Sequence, residues 1–297
     1  MFSYKKLAPV AVSLSLGLAL TACGDDDSSP GVTPQQNTSK SIVETARDAG
    51  IFTTLVGALE ATGLDETLSS EGPFTVFAPT DEAFARLPEG VVASLDAATL
   101  SKILTYHVVN DRVPASMVVG LDEAPTVEGS NAAISVRGGN VFIDGVVMVS
   151  DTDIEATNGI IHIIDSVMLP RDIDFPGTIV DAAIAYPVFD TLVDAVVAAD
   201  LAGTLSSDNE GNGFTVLAPS NQAFIDLGVD LSTLSAEDLS GILTYHVVPL
   251  TADSSVVAGL QTAPTANGDD IAVAVDADGV LLNGESRVTW TDIRTSN

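Results

Sequence analysis

Cysteine is almost absent from this 297-residue chain: Cys23 is the single one. No intramolecular disulfide can form, and thiolate metal clusters have no ligand set. Histidine numbers three, and basic residues number 11 against 41 acidic, a formal charge of −30. A nucleic-acid partner is excluded on that balance, because phosphate contacts need clustered Lys and Arg. Aromatics are 5% of the chain, and there is no G-x-S-x-G, no H-E-x-x-H and no P-loop lysine pattern. Carboxylates are so numerous that no pair of them singles out a catalytic site. The chain therefore reads as non-catalytic, with no cofactor implied. What is plentiful is aliphatic: hydrophobic residues reach 46%, enough to pack one large domain or two of ordinary size.

Lys5 and Lys6 precede an apolar run from Leu7 to Leu20. This is the charged-then-hydrophobic order of a targeting signal, and the run is too short for a comfortable membrane span. It ends in Leu20-Thr21-Ala22-Cys23, which resembles the lipobox of a bacterial lipoprotein. The resemblance implies removal of residues 1–22 and lipid attachment at Cys23; the alternative is a plain secretory signal with an incidental cysteine. A chain starting at Cys23 keeps nine basic and 41 acidic residues, or −32. Residues 23–39 continue through Asp25-Asp26-Asp27 into a stretch rich in Ser, Thr, Pro and Gln without apolar periodicity. They read as a tether, spanning roughly 20–24 Å as a flexible coil. The expected location is the cell envelope, membrane-anchored and either periplasmic or surface-exposed.

The remainder is one unit written twice. Thr67-Leu68-Ser69-Ser70 recurs as Thr204 to Ser207, and Phe74-Thr75-Val76-Phe77-Ala78-Pro79 as Phe214-Thr215-Val216-Leu217-Ala218-Pro219. Ile103-Leu104-Thr105-Tyr106-His107-Val108-Val109 is repeated without change at Ile242 to Val248. The offsets of 137, 140 and 139 residues are far too long for a solenoid and indicate tandem domains, 40–170 and 177–297, joined by a short stretch. Ser41 with Glu44, and Thr178 with Asp181, predict capping boxes at the start of each unit. Phe74–Phe77 predicts a buried strand, Thr80 and Ser220 predict helix caps, and Ala97–Leu104 and Ala236–Leu243 predict helices. The second half of each unit predicts hairpins, around Gly138-Gly139 and Asp276–Gly279, and Ile160–Ile164 predicts a closing strand. Helices early and strands late make an α+β fold.

Three ordered motifs carry a family resemblance: Phe74 to Phe84, Leu104 to Val109, and Ala156 to Asp165, with the first two returning at Phe214 to Phe224 and Leu243 to Val248. They are similar to the successive signatures of fasciclin-like domains. The resemblance covers about residues 40–297. It implies a β-wedge or sandwich with packed helices, and a role in adhesion or extracellular binding. One departure stands out. Asn297 aligns with Asn158, so the second unit stops where the first runs on through Gly159 to Leu169. The expectation is that the natural protein continues past Asn297, and that a second domain without its closing strand exposes a sheet edge.

The resemblance points to Tyr106, His107, Tyr245 and His246, and to the pairs Asp153-Ile154 and Asp292-Ile293, as candidate adhesion contacts. Each has a plainer reading. The Tyr-His pairs suit a buried strand whose polar tips find partners, the Asp-Ile pairs suit a turn before the closing strand, and His162 suits a sheet face. Asp208 to Gly213 resembles half of a calcium loop, but its twelfth position is Pro219 where a bidentate Glu is required. Specific metal sites are therefore not expected, although the carboxylates collectively allow weak calcium binding. The expected partner is an extracellular protein or polysaccharide, and a polyanion is disfavoured. The other readings are a carrier of an apolar ligand such as a carotenoid, as some fasciclin-like proteins are, and a structural envelope protein.

Overall fold

The computed structural model describes residues 40–277 and 279–297; the signal, Cys23 and the tether lie outside the described residues. The first unit opens with helix α1 (Ile42–Ala49). Here Ser41 Oγ accepts from Glu44 N and Glu44 Oε2 accepts from Ser41 N, the reciprocal box that the spacing predicts. Helices α2 (Thr53–Thr62) and α3 (Leu64–Leu68) follow, then strand β1 (Phe74–Pro79), with all six residues buried. Helix α4 (Asp81–Ala85) is capped by Thr80, α5 spans Val91–Ser94, and α6 (Ala97–Tyr106) is capped by Asp96.

Here the structure departs from a strand reading of the Tyr-His motif. Tyr106 is the last helical residue, His107 is the C-cap, and only Val108–Val109 form strand β2. The Asp96 carboxylate, accepting from Ala98 N and Thr99 N, starts a helix that runs ten residues before the aliphatic pair can enter the sheet. Helix α7 (Ala115–Val118) precedes strands β3 (Glu123–Pro125), β4 (Asn131–Arg137), β5 (Asn140–Ile143), β6 (Val147–Ala156) and β7 (Gly159–Ile164). They form one seven-stranded sheet in the order β2-β1-β7-β6-β5-β4-β3.

Strand β7 is the keystone. It runs parallel to β1, with Phe74 opposite Gly159 and Phe77 opposite His162, and antiparallel to β6. Side chains alternate across it: Ile161 enters the core under α1, α2 and α6, while Ile164 enters the opposite core with Phe77, Tyr106, Ile143 and Val147. Both faces are covered, so β1 and β7 read as continuous apolar runs.

The second unit repeats the order with α8 (Ile179–Ala185), α9 (Asp190–Ala198), α10 (Ala202–Leu205), β8 (Thr215–Val216), α11 (Asn221–Leu227), α12 (Ala236–Tyr245), β9 (Val247–Val248) and α13 (Ser254–Ala258). Strands β10 (Thr262–Pro264), β11 (Asp270–Asp276), β12 (Gly279–Leu282) and β13 (Ser286–Arg287) complete it. Its sheet is split into a four-stranded part and the β8-β9 pair. The stretch between the units is not a free linker. Phe175 is buried, its N–H donates to Arg294 O at 2.7 Å, and with Ala182, Ala185 and Tyr186 it joins the first unit's core. Trp290 packs over Gly145, with the Arg171 guanidinium 4.5 Å above its ring.

Candidate functional site

Tyr106 and His107 are interior groups, 1% and 2% exposed. The Tyr106 hydroxyl donates to Asp144 Oδ2 at 2.8 Å, and Asp144 Oδ1 accepts from Ala133 N at 3.0 Å. Asp144 and Gly145 occupy the centre of the β5–β6 turn with φ of 49° and 69°, left-handed at both positions as in a type I′ hairpin turn. Burial pushes the Asp144 carboxyl up, against the pull of its two donors, and burial together with Asp144 pushes the Tyr106 phenol up. His107 Nδ1 faces Ile103 O at 2.7 Å, and Met168 N donates to Nε2 at 2.9 Å. The partners set the tautomer: Nδ1 carries the proton and Nε2 accepts. Burial drives the imidazole pKa down to about 4. In the folded state a docking partner meets neither side chain.

The second copy keeps the geometry and changes the chemistry. Tyr245 Oη donates to Asp270 O at 3.3 Å and accepts from Asn283 Nδ2 at 2.9 Å, while Asn283 Oδ1 accepts from Ala272 N. Asn283 thus stands where the first unit has Asp144, with the direction of the tyrosine bond reversed. His246 Nδ1 faces Ile242 O at 2.8 Å, and both Tyr245 and His246 are partly exposed.

The Asp-Ile pairs lie nearer the surface. Asp153 sits in an irregular part of β6 with φ 61°, and Asp292 adopts φ 66°. Each carboxylate accepts from the first residue of a short helix: Asp153 Oδ1 from Ala115 N at 2.9 Å, Asp292 Oδ1 from Ser254 N at 2.7 Å. Ile154 packs toward the helix-side core and Ile293 into the core shared between the units. Behind Asp153, His162 locks two loops together: its Nδ1 accepts from Asp153 N at 3.3 Å, so Nε2 donates to Val113 O at 2.8 Å. Thr75 Oγ1 donates to Asp111 O and accepts from Val113 N, and Thr215 Oγ1 repeats this with Leu250 O and Ala252 N. The result is a ridge of exposed polar side chains, Asp111, Arg112, Asp151 and Thr152, held rigidly from below. Arg112 bonds Glu155 along it.

The ridge thus gathers Asp153, and not the Tyr-His pair of the same unit. Sequence reasoning missed Asp144, Asn283, Thr75 and Thr215. The signal was there: Asp144-Gly145 and Asn283-Gly284 are turn dipeptides at the 139-residue repeat distance. Among the described residues no group of three His, Cys, Asp or Glu is placed to hold a metal ion. In the Asp208 to Gly213 loop the Asn209 amide turns inward, donating to Gly213 O and Pro249 O. The apolar groove between Phe84, Leu87, Ile103 and Val167 leaves about 20 Å³, space on the order of one water molecule. No helix of the described residues is long and apolar enough to cross a membrane.

Because the Asp153 carboxylate accepts from the first residue of α7, Asp153→Ala should lower stability by about 1–2 kcal/mol, combining the lost bond and left-handed strain. Asp153→Asn should recover most of it, since Asn also tolerates that backbone; thermal melts of the two variants check this.

The fasciclin domain family model matches this chain twice, over residues 50–170 and 187–297. Protein sll1483 of Synechocystis is 44% identical over 138 residues, covering 45% of this chain and 76% of its own. Human periostin is 32% identical over 219 residues, covering 73% of this chain, which spans only 25% of periostin. A solved domain pair from the insect cell adhesion molecule fasciclin I aligns over 80% of this chain and 90% of its own, at 18% identity and a TM-score of 0.42.

Proposed function

This chain belongs to the fasciclin-domain family, and from that membership we propose a non-catalytic adhesion protein of the bacterial cell envelope, held by lipid on Cys23 and binding an extracellular protein or polysaccharide. The observation that carries the reading is the rigid support beneath the first unit's ridge, whose bonding pattern recurs in the second unit. Asp153 with the 111–115 loop, and Asp292 with the 250–254 loop, are built from the same long-range bonds in both units. The first unit presents Asp111, Arg112, Asp151 and Thr152 on this scaffold, whereas the matching positions of the second are Leu250, Thr251, Trp290 and Thr291, with Trp290 packed against the shared core; the ligand therefore engages the first unit's ridge. The mature charge of −32 disfavours polyanionic ligands unless cations bridge them. Calcium, held weakly by surface carboxylates, is the natural bridge.

The test uses the chain from Gly24 onward on immobilised matrix proteins and polysaccharides, with and without calcium. Saturable retention that falls at least fivefold in an Asp151→Ala, Thr152→Ala double variant with an unchanged melting temperature is expected. No saturable retention on any surface would favour a structural envelope role instead. The anchor is tested separately: Cys23→Ala should move the protein from the membrane to the soluble fraction, and unchanged membrane retention would overturn it.

A further inference from the structure

Three loops of the first unit meet at the end of the sheet where β1 and β7 begin side by side. They are residues 69–73 ahead of β1, the 111–115 loop, and the β6–β7 turn at Thr157 and Asn158. Between them lies a cleft of about 460 Å³ walled by Ser69, Ser70, Glu71, Arg112 and Thr157, within the range of small-molecule sites. Its floor is rigid. Asn158 Nδ2 donates to Leu68 O at 2.7 Å and to Ser70 O at 2.8 Å, and Phe74 N donates to Asn158 O at 3.0 Å. Gly72 lies against the same turn, where a Cβ would be 2.1 Å from Asn158 O. The opening is therefore formed before any ligand arrives, and binding need not order it.

The polar groups of the walls are only partly engaged. The Ser69 hydroxyl donates to Asp65 O and the Ser70 hydroxyl to Thr67 O, each at 2.6 Å, so both oxygens remain acceptors. Arg112 directs one N–H to Glu155 and one to Gly159 O at 3.4 Å, out of the five that a guanidinium carries. Among the described residues the Glu71 carboxylate and the Thr157 hydroxyl have no hydrogen-bond partner. Pro73 is the one apolar side chain of the lining.

The second unit shows that the fold does not require this cleft. Six residues, 208–213, stand where the first unit has the three of 71–73, and Thr251 stands where it has Arg112. The longer loop bonds straight across the matching opening, with Thr251 N donating to Asn212 O at 2.9 Å. A Cβ at Gly213 would lie 2.1 Å from Thr251 Oγ1.

We propose that the cleft of the first unit binds a neutral, hydroxyl-rich glycan; this rests on the adhesion reading above and names the ligand class at the Arg112 end of its ridge. Sugar hydroxyls donate and accept at once, which suits acceptors at Glu71, Ser69 and Ser70 beside donors at Arg112 and Thr157. A guanidinium and a carboxylate line one opening, so neither a polyanion nor a cationic chain is complementary to both. An extended peptide also offers donors and acceptors, but its selectivity needs pockets for alternate side chains, and these polar walls supply no apolar one.

The chain from Gly24 onward is titrated with oligosaccharides of dextran, mannan and galactan, with oligogalacturonate as the anionic control, and followed through backbone amide resonances. Saturable shifts at Glu71, Gly72 and Thr157 are expected with at least one neutral glycan. The Glu71→Gln, Thr157→Val double variant, changed at two exposed positions, should bind that glycan at least tenfold more weakly at an unchanged melting temperature. Equal binding by the double variant, shifts confined to other residues, or preference for oligogalacturonate overturns the cleft. Absence of binding to all three neutral glycans does so too. If the protein is then still retained on a matrix protein, and the Asp151→Ala, Thr152→Ala variant loses that retention, the cleft falls and the adhesion reading stands. Absence of retention on every surface removes both.

Discussion

Gly159→Ala is expected to destabilise the first unit by about 3 kcal/mol or more, as overpacking against backbone does at its upper range. The added Cβ would lie 2.0 Å from Phe74 O, 2.8 Å from Phe74 C and 2.7 Å from Ile42 Cδ1. A flexible side chain can rotate away from such a contact, but a strand carbonyl cannot. Phe74 is the first pairing partner of β7 and also donates its N–H to Asn158 O. Relief therefore means lifting β7 off β1 at the point where the two cores meet. Gly57→Ala is the contrasting change. Gly57 lies inside α2 with nothing within 4 Å of the added carbon, so it should gain about 0.5–1 kcal/mol from helix propensity. Urea unfolding of the two variants should give midpoints on opposite sides of the parent. A Gly159→Ala midpoint equal to the parent's would mean that β7 is not seated between β1 and β6 in solution.

The contrast between those glycines shows what the sequence can and cannot disclose. The capping boxes at Ser41 and Thr178, the buried run of β1, the Gly138-Gly139 hairpin and the closing strand were all legible, because each is set by neighbours a few residues away. Burial of the Tyr-His motif with partnered polar tips holds, but its strand reading fails because its fate depends on distance. His107 is fixed by Met168, 61 residues later, and Tyr106 by Asp144, 38 residues later. The stretch between the units reads as a joint, yet Phe175 packs inward against Tyr186, their ring centroids 6.2 Å apart. Nothing local marks Phe175 as a core residue; only the arrival of Trp290 and Arg294 from the far end of the chain completes its surroundings. The duplication carried the most information, since comparing Asp144 with Asn283 separates what the fold demands from what each unit does with it.

His107→Ala should cost about 3–5 kcal/mol at pH 7, the sum of a cavity and two buried backbone groups, Ile103 O and Met168 N, left without the ring. The pH dependence has a definite sign. His107 stays neutral in the folded chain down to a pKa of about 4, while an unfolded histidine protonates near 6.5. As pH falls the unfolded state takes up this proton first, so the contribution of neutral His107 is complete above about 6.5 and drains away toward 4. Over that window it amounts to at most roughly 3 kcal/mol. His162, also pushed down by burial, acts in the same direction. Asp144 and Asp165, pushed up by burial, act oppositely and add stability as they protonate. The removal of His107 should therefore make stability fall less, or rise more, from pH 7 to 5 than in the parent, from a lower starting point. Chemical unfolding at the two pH values measures both. A slope unchanged by the substitution would show that His107 does not carry the pH dependence, and lost ligand binding with an unchanged melting temperature would place the ring at a contact surface instead of in the core.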